Sequence, residues 1–390
     1  MVNNLKYTCL FGGGAIRGLA YVGAIRAMEE LDVEFDIIGG SSVGSIIATL
    51  LACGYKSYEL ESLFLKVNFE LFKDIHFGFG KPFALSKGEI FEDWLNELIS
   101  KNLNKKNITF ADLDKELVII TTDINNFSTK EFSKIKTPDF EIAKAIRISS
   151  SMPGLMPPYE YEGACLVDGD LQKASPMWEL SETLKNTQSR IMEFRLEGDS
   201  ASESNPLSCI NTIYSCVTRI ASDFVCKIYG KNDRYDCIVL NTGDIFFADF
   251  NLDRETRRKI IESGYKQTMY YFKEVLPYKK ESLEDIYSQM LKYLKNSHKG
   301  LKAGDVEEVQ WWLGDLFTLL CENKELVDER IYEQIVDLKN AIMESSTRFL
   351  LFYTRFNDKK NLEKKMKNII NVLERRISEL KLYLLKIRKG

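Results

Sequence analysis

Histidine is nearly missing from this chain. Only His76 and His298 occur in 390 residues, so chemistry that needs an imidazole base has two positions to draw on. A basic excess is missing as well: 53 Lys and Arg stand against 57 Asp and Glu, a formal charge of −4. Nucleic-acid binders carry a positive footprint, and no such partner is expected here. The eight cysteines form no C-x-x-C pair and have no histidine close in sequence. That spacing removes zinc and dithiol redox motifs, so neither a metal nor a cofactor is expected. Dispersed thiols in a chain of this length fit a reducing compartment.

The N-terminus, MVNNLKYTCLFGGG, lacks the basic start and apolar run of a signal peptide. Residues 37–55 carry no charge, which is long enough to suggest a membrane span. Gly39, Gly40, Ser41, Ser42, Gly44, Ser45 and Gly54 break that run, and a buried strand-turn-helix unit reads the same way. The expectation is a soluble cytoplasmic protein without a transmembrane helix. With 45% apolar and 28% charged residues, disordered, collagen-like and disulfide-stapled chains are excluded, and the length suits about two domains.

Short β-rich runs lie at 7–11, 35–39, 117–121, 164–167, 190–195 and 236–240, rich in Val, Ile, Phe and Cys with little alternation. Strands covered on both faces have that pattern. Helical patterns separate them near 17–31, 43–53, 57–67, 88–100, 139–149 and 176–187. The alternation predicts an α/β domain over 5–245 with a mostly parallel sheet. After Phe250 the pattern is almost continuously helical, and a second domain is expected over 250–390. Its last segment repeats Leu362, Met366, Ile369, Leu373, Ile377, Leu380, Leu384 and Ile387 on one helix face. Residues 358–389 also carry eleven basic against four acidic side chains. Two readings follow: a transient contact with an anionic membrane surface, or a stripe packed in the helical domain with its lysines solvated. The second is favoured.

Two turns carry chemistry. In LFGGGAIRGLAYVGAI, 10–25, a strand runs through glycines into a helix. Residues without side chains let backbone N–H groups converge, and the helix N-terminus favours an anion there. This is a cradle for a phosphate or an oxyanion; G-K-[ST] and G-x-G-x-x-G are both unmet. In FDIIGGSSVGSIIATLLA, 35–52, Gly40-Ser41-Ser42-Val43-Gly44 lies between a strand and a helix. That is the context of a nucleophile elbow presenting the Ser42 hydroxyl.

The hydroxyl needs a base. His298 lies in a polar stretch expected to link helices, and His76 in a loop with no partner motif, so a Ser-His-Asp triad is disfavoured. Asp168, at the carboxyl end of a strand in Cys165-Leu166-Val167-Asp168-Gly169-Asp170, is the better candidate.

Together these pieces resemble the patatin-like phospholipases, over roughly residues 5–180. The motifs stand in the expected order: Gly13-Gly14-Ala15-Ile16-Arg17-Gly18, the G-x-S-x-G at 40–44, AIRISSSMPGLMPPYEYEG at 145–163, and Asp168-Gly169. Residues 117–132 look like that family's central strand and hairpin. The resemblance implies a three-layer α/β/α catalytic domain and a serine acyl hydrolase cleaving fatty-acyl esters, those of glycerophospholipids above all. It implies Ser42 as nucleophile, Asp168 as base, the Gly13 and Gly14 amides as oxyanion hole, and Arg17 supporting the loop, with Gly40, Gly44 and Gly169 shaping the turns. Three positions depart from the family pattern. Ala15 replaces the third loop glycine, Asp170 replaces Gly or Ala, and Ala174 replaces a frequent Asn, while Pro176 fits. Asp170 is expected to raise the Asp168 pKa by like-charge repulsion. The alternative is an inert or scaffold-type lipid-binding relative whose helical half is a regulatory module. Headgroup, chain length and oligomeric state are not legible.

Overall fold

The computed structural model describes residues 6–73, 86–172, 181–187, 189–198, 225, 234–245, 249–347 and 359–387. They divide into two compact units, Met1–Gly230 with Tyr235–Tyr270, and Lys231–Arg234 with Tyr271–Gly390.

The first unit is built in the order β1 (Lys6–Phe11), α1 (Leu19–Glu30), β2 (Glu34–Gly40), α2 (Val43–Ala52), α3 (Ser57–Lys66) and α4 (Glu89–Leu103). Then come β3 (Glu116–Asp123), β4 (Ser128–Ser133), α5 (Ile142–Ser149), β5 (Tyr159–Tyr161) and β6 (Ala164–Val167). It closes with α6 (Glu182–Lys185), β7 (Arg190–Glu197), β8 (Tyr235–Asn241) and α7 (Arg254–Tyr270). The strands form one sheet in the order β5-β6-β3-β2-β1-β7-β8, with β4 also paired to β3. From β3 to β8 all pairings along that path are parallel. Strands β4, β5 and β6 add antiparallel pairs. Seven consecutive residues of β3 are buried, so both of its faces are covered, as the unbroken apolar runs require.

All six strands read from the pattern are present. β4 completes the hairpin that the resemblance implied at 117–132, whereas β5 is three residues of Tyr and Glu, too short to signal itself. The chain passes from β1 to β2 on one side and later returns as β7 on the other. The carboxyl ends of β1 and β7 therefore flank the topological switch point, where open α/β sheets keep their crevice.

The uncharged run at 37–55 is accounted for by β2, a turn and α2. Among the described residues no helix is long and apolar enough to cross a membrane. Cys9, Cys53, Cys165 and Cys321 are free thiols, but Cys237 is disulfide-bonded, so thiol spacing does not carry the compartment reading.

Helix α7 corrects the expected domain boundary. A Cβ on Gly264 would lie 2.0 Å from the Ala20 carbonyl oxygen, and one on Gly23 would lie 1.8 Å from that of Ile261. α1 and α7 thus meet backbone to backbone, and the first unit ends at Tyr270 rather than near 245. Apolar periodicity reports that a helix has a buried face, not which neighbour receives it.

The second unit continues through a π-helical turn, Tyr271–Val275, into α8 (Leu276–Ala303), α9 (Val306–Glu322), α10 (Glu329–Thr347) and α11 (Lys359–Ile387). Pro277 occupies the first turn of α8, where its missing N–H costs nothing. Leu294, Leu316, Leu338 and Leu373 are in the core cluster of these helices. The α11 stripe from Leu362 to Leu384 is buried, in accord with the favoured reading, and Lys295 bridges to Glu374 at 2.6 Å on the surface. His298 lies inside α8 and not in a linker: Gly300 is tolerated there because it packs closely on Glu308 and Val309. His76, the segment 77–85, Ala174 and Pro176 lie outside the described residues.

Gly264→Ala forces α1 and α7 apart. It should lower unfolding stability by about 1–3 kcal/mol, read from urea titration of the full chain; an unchanged midpoint would contradict this packing.

Candidate active site

The turn between β2 and α2 is set by two glycines. A Cβ on Gly40 would fall 2.2 Å from the Gly44 carbonyl oxygen, and one on Gly44 would fall 1.9 Å from that of Phe11. Only side-chain-free residues let the chain fold back this tightly against the end of β1. Between them Ser42 adopts φ 51° and ψ −129°. A non-glycine residue held at positive φ costs roughly 1–3 kcal/mol and persists only where its surroundings fix it. Here the Ser42 N–H donates to Ser149 Oγ at 2.9 Å, and Ser149 Oγ donates in turn to the Ile120 carbonyl at 2.7 Å. The end of α5 thus ties the elbow to β3.

The result is a half-buried serine whose Oγ donates to Asp168 Oδ2 at 2.8 Å. Asp168 follows β6 directly and is 3% exposed. It is at a strand's carboxyl end, as expected, but β6 runs antiparallel to β3, pairing Val167 with Thr122. That direction carries Asp168 inward, toward the elbow. Gly169 makes the approach feasible, since a Cβ there would lie 2.1 Å from the Ile120 carbonyl oxygen. The Asp168 N–H donates to the Ser151 carbonyl at 3.0 Å, and the Asp170 N–H donates to Asp168 Oδ1 at 2.8 Å. One carboxylate oxygen is therefore held by the backbone while the other faces the hydroxyl.

The glycine loop after β1 sits alongside. Tyr21 Oη donates to the Gly12 carbonyl at 2.8 Å, and the Gly12 N–H donates to the Phe194 carbonyl at 2.9 Å. Buried Arg17 donates through Nε to the Ile245 carbonyl at 2.7 Å, linking the loop to the segment after β8. Gly13 does not meet its expectation as a free donor. Its N–H donates to Asp170 Oδ1 at 2.8 Å, because this chain has a carboxylate where glycine or alanine was expected.

Ser42 and Asp168 open on a cavity of about 360 Å³. Its walls are Ile16, Leu19, Ile46 and Ile47 on one side and Phe64, Phe72, Phe91, Trp94, Leu155 and Met156 on the others. Ser150 also lines it, and its buried Oγ has no hydrogen-bond partner among the described residues. A nucleophile and a base at the end of an apolar cavity can attack a carbonyl carbon attached to a hydrocarbon chain. Among the described residues no cluster of His, Cys, Asp or Glu could hold a metal.

A patatin-like phospholipase family model matches residues 10–180. Protein R571 of Acanthamoeba polyphaga mimivirus is 31% identical over 277 residues, spanning 68% of this chain and 92% of that protein. The chain belongs to the patatin-like phospholipase family. A lysophospholipase, NTE1 of Pyricularia oryzae, is 32% identical over 160 residues, 41% of this chain but 10% of that protein. Among solved structures, VipD of Legionella pneumophila aligns with a TM-score of 0.49 at 15% identity, covering 98% of this chain and 90% of that one. The patatin-like match spans the glycine loop, the elbow and Asp168, so the four motifs read from the sequence fall within it. Ser149 was not anticipated. It stands in a run of three serines, and nothing in the sequence distinguishes the one that binds the elbow amide.

Removing that acceptor tests the local account. Ser149→Ala leaves the Ser42 N–H without its partner and should cost about 1–3 kcal/mol of stability, while Ser151→Ala, whose hydroxyl bonds only within its own helix turn at the Arg147 carbonyl, should cost less; equal thermal shifts would refute the assignment.

Proposed function

We propose that this protein is a serine acyl hydrolase that cleaves fatty-acyl esters, with glycerophospholipids or lysophospholipids as the substrate class. The observation that carries the reading is the 2.8 Å hydrogen bond from Ser42 Oγ to Asp168 Oδ2 at the end of an apolar cavity. The family, and the lysophospholipase among its relatives, support the same class of substrate.

In this mechanism Asp168 takes the Ser42 proton as Oγ attacks the acyl carbonyl carbon. The carbon–oxygen π pair moves onto the carbonyl oxygen, and collapse of the tetrahedral intermediate expels the alcohol, which leaves protonated. Water, deprotonated by Asp168, then attacks the acyl-enzyme and releases the fatty acid and the Ser42 hydroxyl. An oxyanion in this site needs backbone donors. With the Gly13 amide committed, the donors are assigned to Gly14 and Ala15. Both are half-buried, Ala15 lines the cavity, and they begin the turn Ala15–Gly18 that runs into α1. The first N–H groups of a helix lack intrahelical acceptors, and its dipole favours the negative charge. Arg17 supports this loop from behind. The apolar walls remove the acyl chain from water at about 25 cal/mol per Å² buried, which binds substrate without itself accelerating the reaction.

Fatty-acid release from defined lipids tests the reading. Ser42→Ala should abolish it, and Asp168→Asn should lower kcat by about 10²–10⁴-fold; a wild-type rate in Asp168→Asn would remove Asp168 from the mechanism. Met156→Trp narrows the cavity and should reduce turnover of long-chain esters at least about tenfold more than that of butyryl esters. Equal losses on both would mean that the acyl chain lies elsewhere.

A further inference from the structure

One buried carboxylate has no part in the reaction above. Asp170 is 3% exposed, and its contacts reach all three pieces of the site. Its Oδ1 accepts the Gly13 N–H at 2.8 Å, from the loop after β1. The same oxygen accepts Ser41 Oγ at 3.3 Å, from the residue before the nucleophile. Its own N–H fixes Asp168 Oδ1 at 2.8 Å. A Cβ on Gly13 would lie 2.6–2.9 Å from the three carboxyl atoms of Asp170, so nothing fits between the loop and this group.

Burying an ionised carboxylate costs several kcal/mol unless donors and an opposite charge compensate it. The amide and hydroxyl donors supply part of that compensation. Arg195 on β7 is buried as well, 3% exposed. Burial works to lower the Arg195 pKa, but the charges of Glu193, Tyr235 and Asp170 outweigh it and hold the guanidinium above its ordinary value. Arg195 is anchored by Glu193, with Nε and Nη2 donating to Oε1 at 2.9 and 2.7 Å. Tyr235 Oη donates to the other Glu193 oxygen at 3.0 Å. A buried polar row thus links Tyr235 on β8 to Glu193 and Arg195 on β7.

We propose that Asp170 is a positioning residue: its carboxylate clamps the Gly13 amide, and its contacts lock the oxyanion loop, the elbow and the Asp168 base into one rigid unit. The kinetic consequence rests on the hydrolase reading; the clamp itself does not. Asp170 touches no reacting atom, so its loss shifts the geometry in which the oxyanion forms. Misplacements of about 1 Å in such sites cost on the order of 10²-fold in rate.

The test uses the full-length chain as wild type, Asp170→Gly and Asp170→Asn, the last retaining an acceptor oxygen for Gly13. Amide hydrogen exchange at Gly13 is measured alongside steady-state hydrolysis of a soluble butyryl ester. In Asp170→Gly, Gly13 exchange should accelerate at least about tenfold, and kcat should fall about 10- to 100-fold with KM within about twofold. Asp170→Asn should recover most of both changes. Should the glycine variant fail to fold, the Asn variant decides: slow Gly13 exchange with a kcat between wild type and one tenth of it supports the clamp. Gly13 exchange as slow in Asp170→Gly as in wild type overturns it, as does unprotected Gly13 exchange in the wild type itself, or a raised KM with kcat unchanged. A wild-type chain inert toward every ester would overturn the hydrolase reading instead, and the exchange arm would still decide the clamp.

Discussion

The contact between Ser42 Oγ and Asp168 Oδ2 depends on a backbone that Ser42 would not adopt freely. Ser42 is held at positive φ, and the restraint comes from the flanking glycines, from the end of β1 and from Ser149. Asp168 reaches the same point from the opposite direction, along an antiparallel strand that only glycine at 169 lets past β3. Strain at one residue is thereby offset by packing and hydrogen bonds at several others, which is how sheets keep reactive side chains at an edge. The arrangement is local, but the sheet order brings its parts together, since β2 lies between β1 and β3 and β6 returns beside β3.

Electrostatically the site differs from a serine–histidine–aspartate arrangement, since the partner of the serine is a carboxylate. Two buried carboxylates lie two residues apart, and each is stabilised by backbone or hydroxyl donors. The sequence suggested repulsion between them. The structure gives them different surroundings: Asp168 faces the serine and the cavity, whereas Asp170 faces the glycine loop.

Much of the fold was legible because buried strands read as short apolar runs, and six such runs became six strands. The elbow and the Asp168 turn were legible because glycine must stand where backbones touch. Other features left weaker traces. β5 is too short and polar to show in the pattern, and α7 hides its membership because its apolar face packs on α1 rather than on its chain neighbours. His298 looked like a linker residue because Lys, Asn, Ser and Gly surround it, yet those side chains mark the solvent and contact faces of one long helix. The commitment of the Gly13 amide could not be read at all, since it requires residues 157 positions apart to meet.

The central claim is that Asp168 makes the Ser42 hydroxyl nucleophilic. The second-order rate of phosphonylation by a fluorophosphonate, with the modified residue located by peptide mass mapping, measures this without any assumption about the natural lipid. The account predicts labelling at Ser42 alone, slowed by at least about 10²-fold in Asp168→Asn. Labelling of another serine, or an equal rate at Ser42 in both proteins, would contradict it.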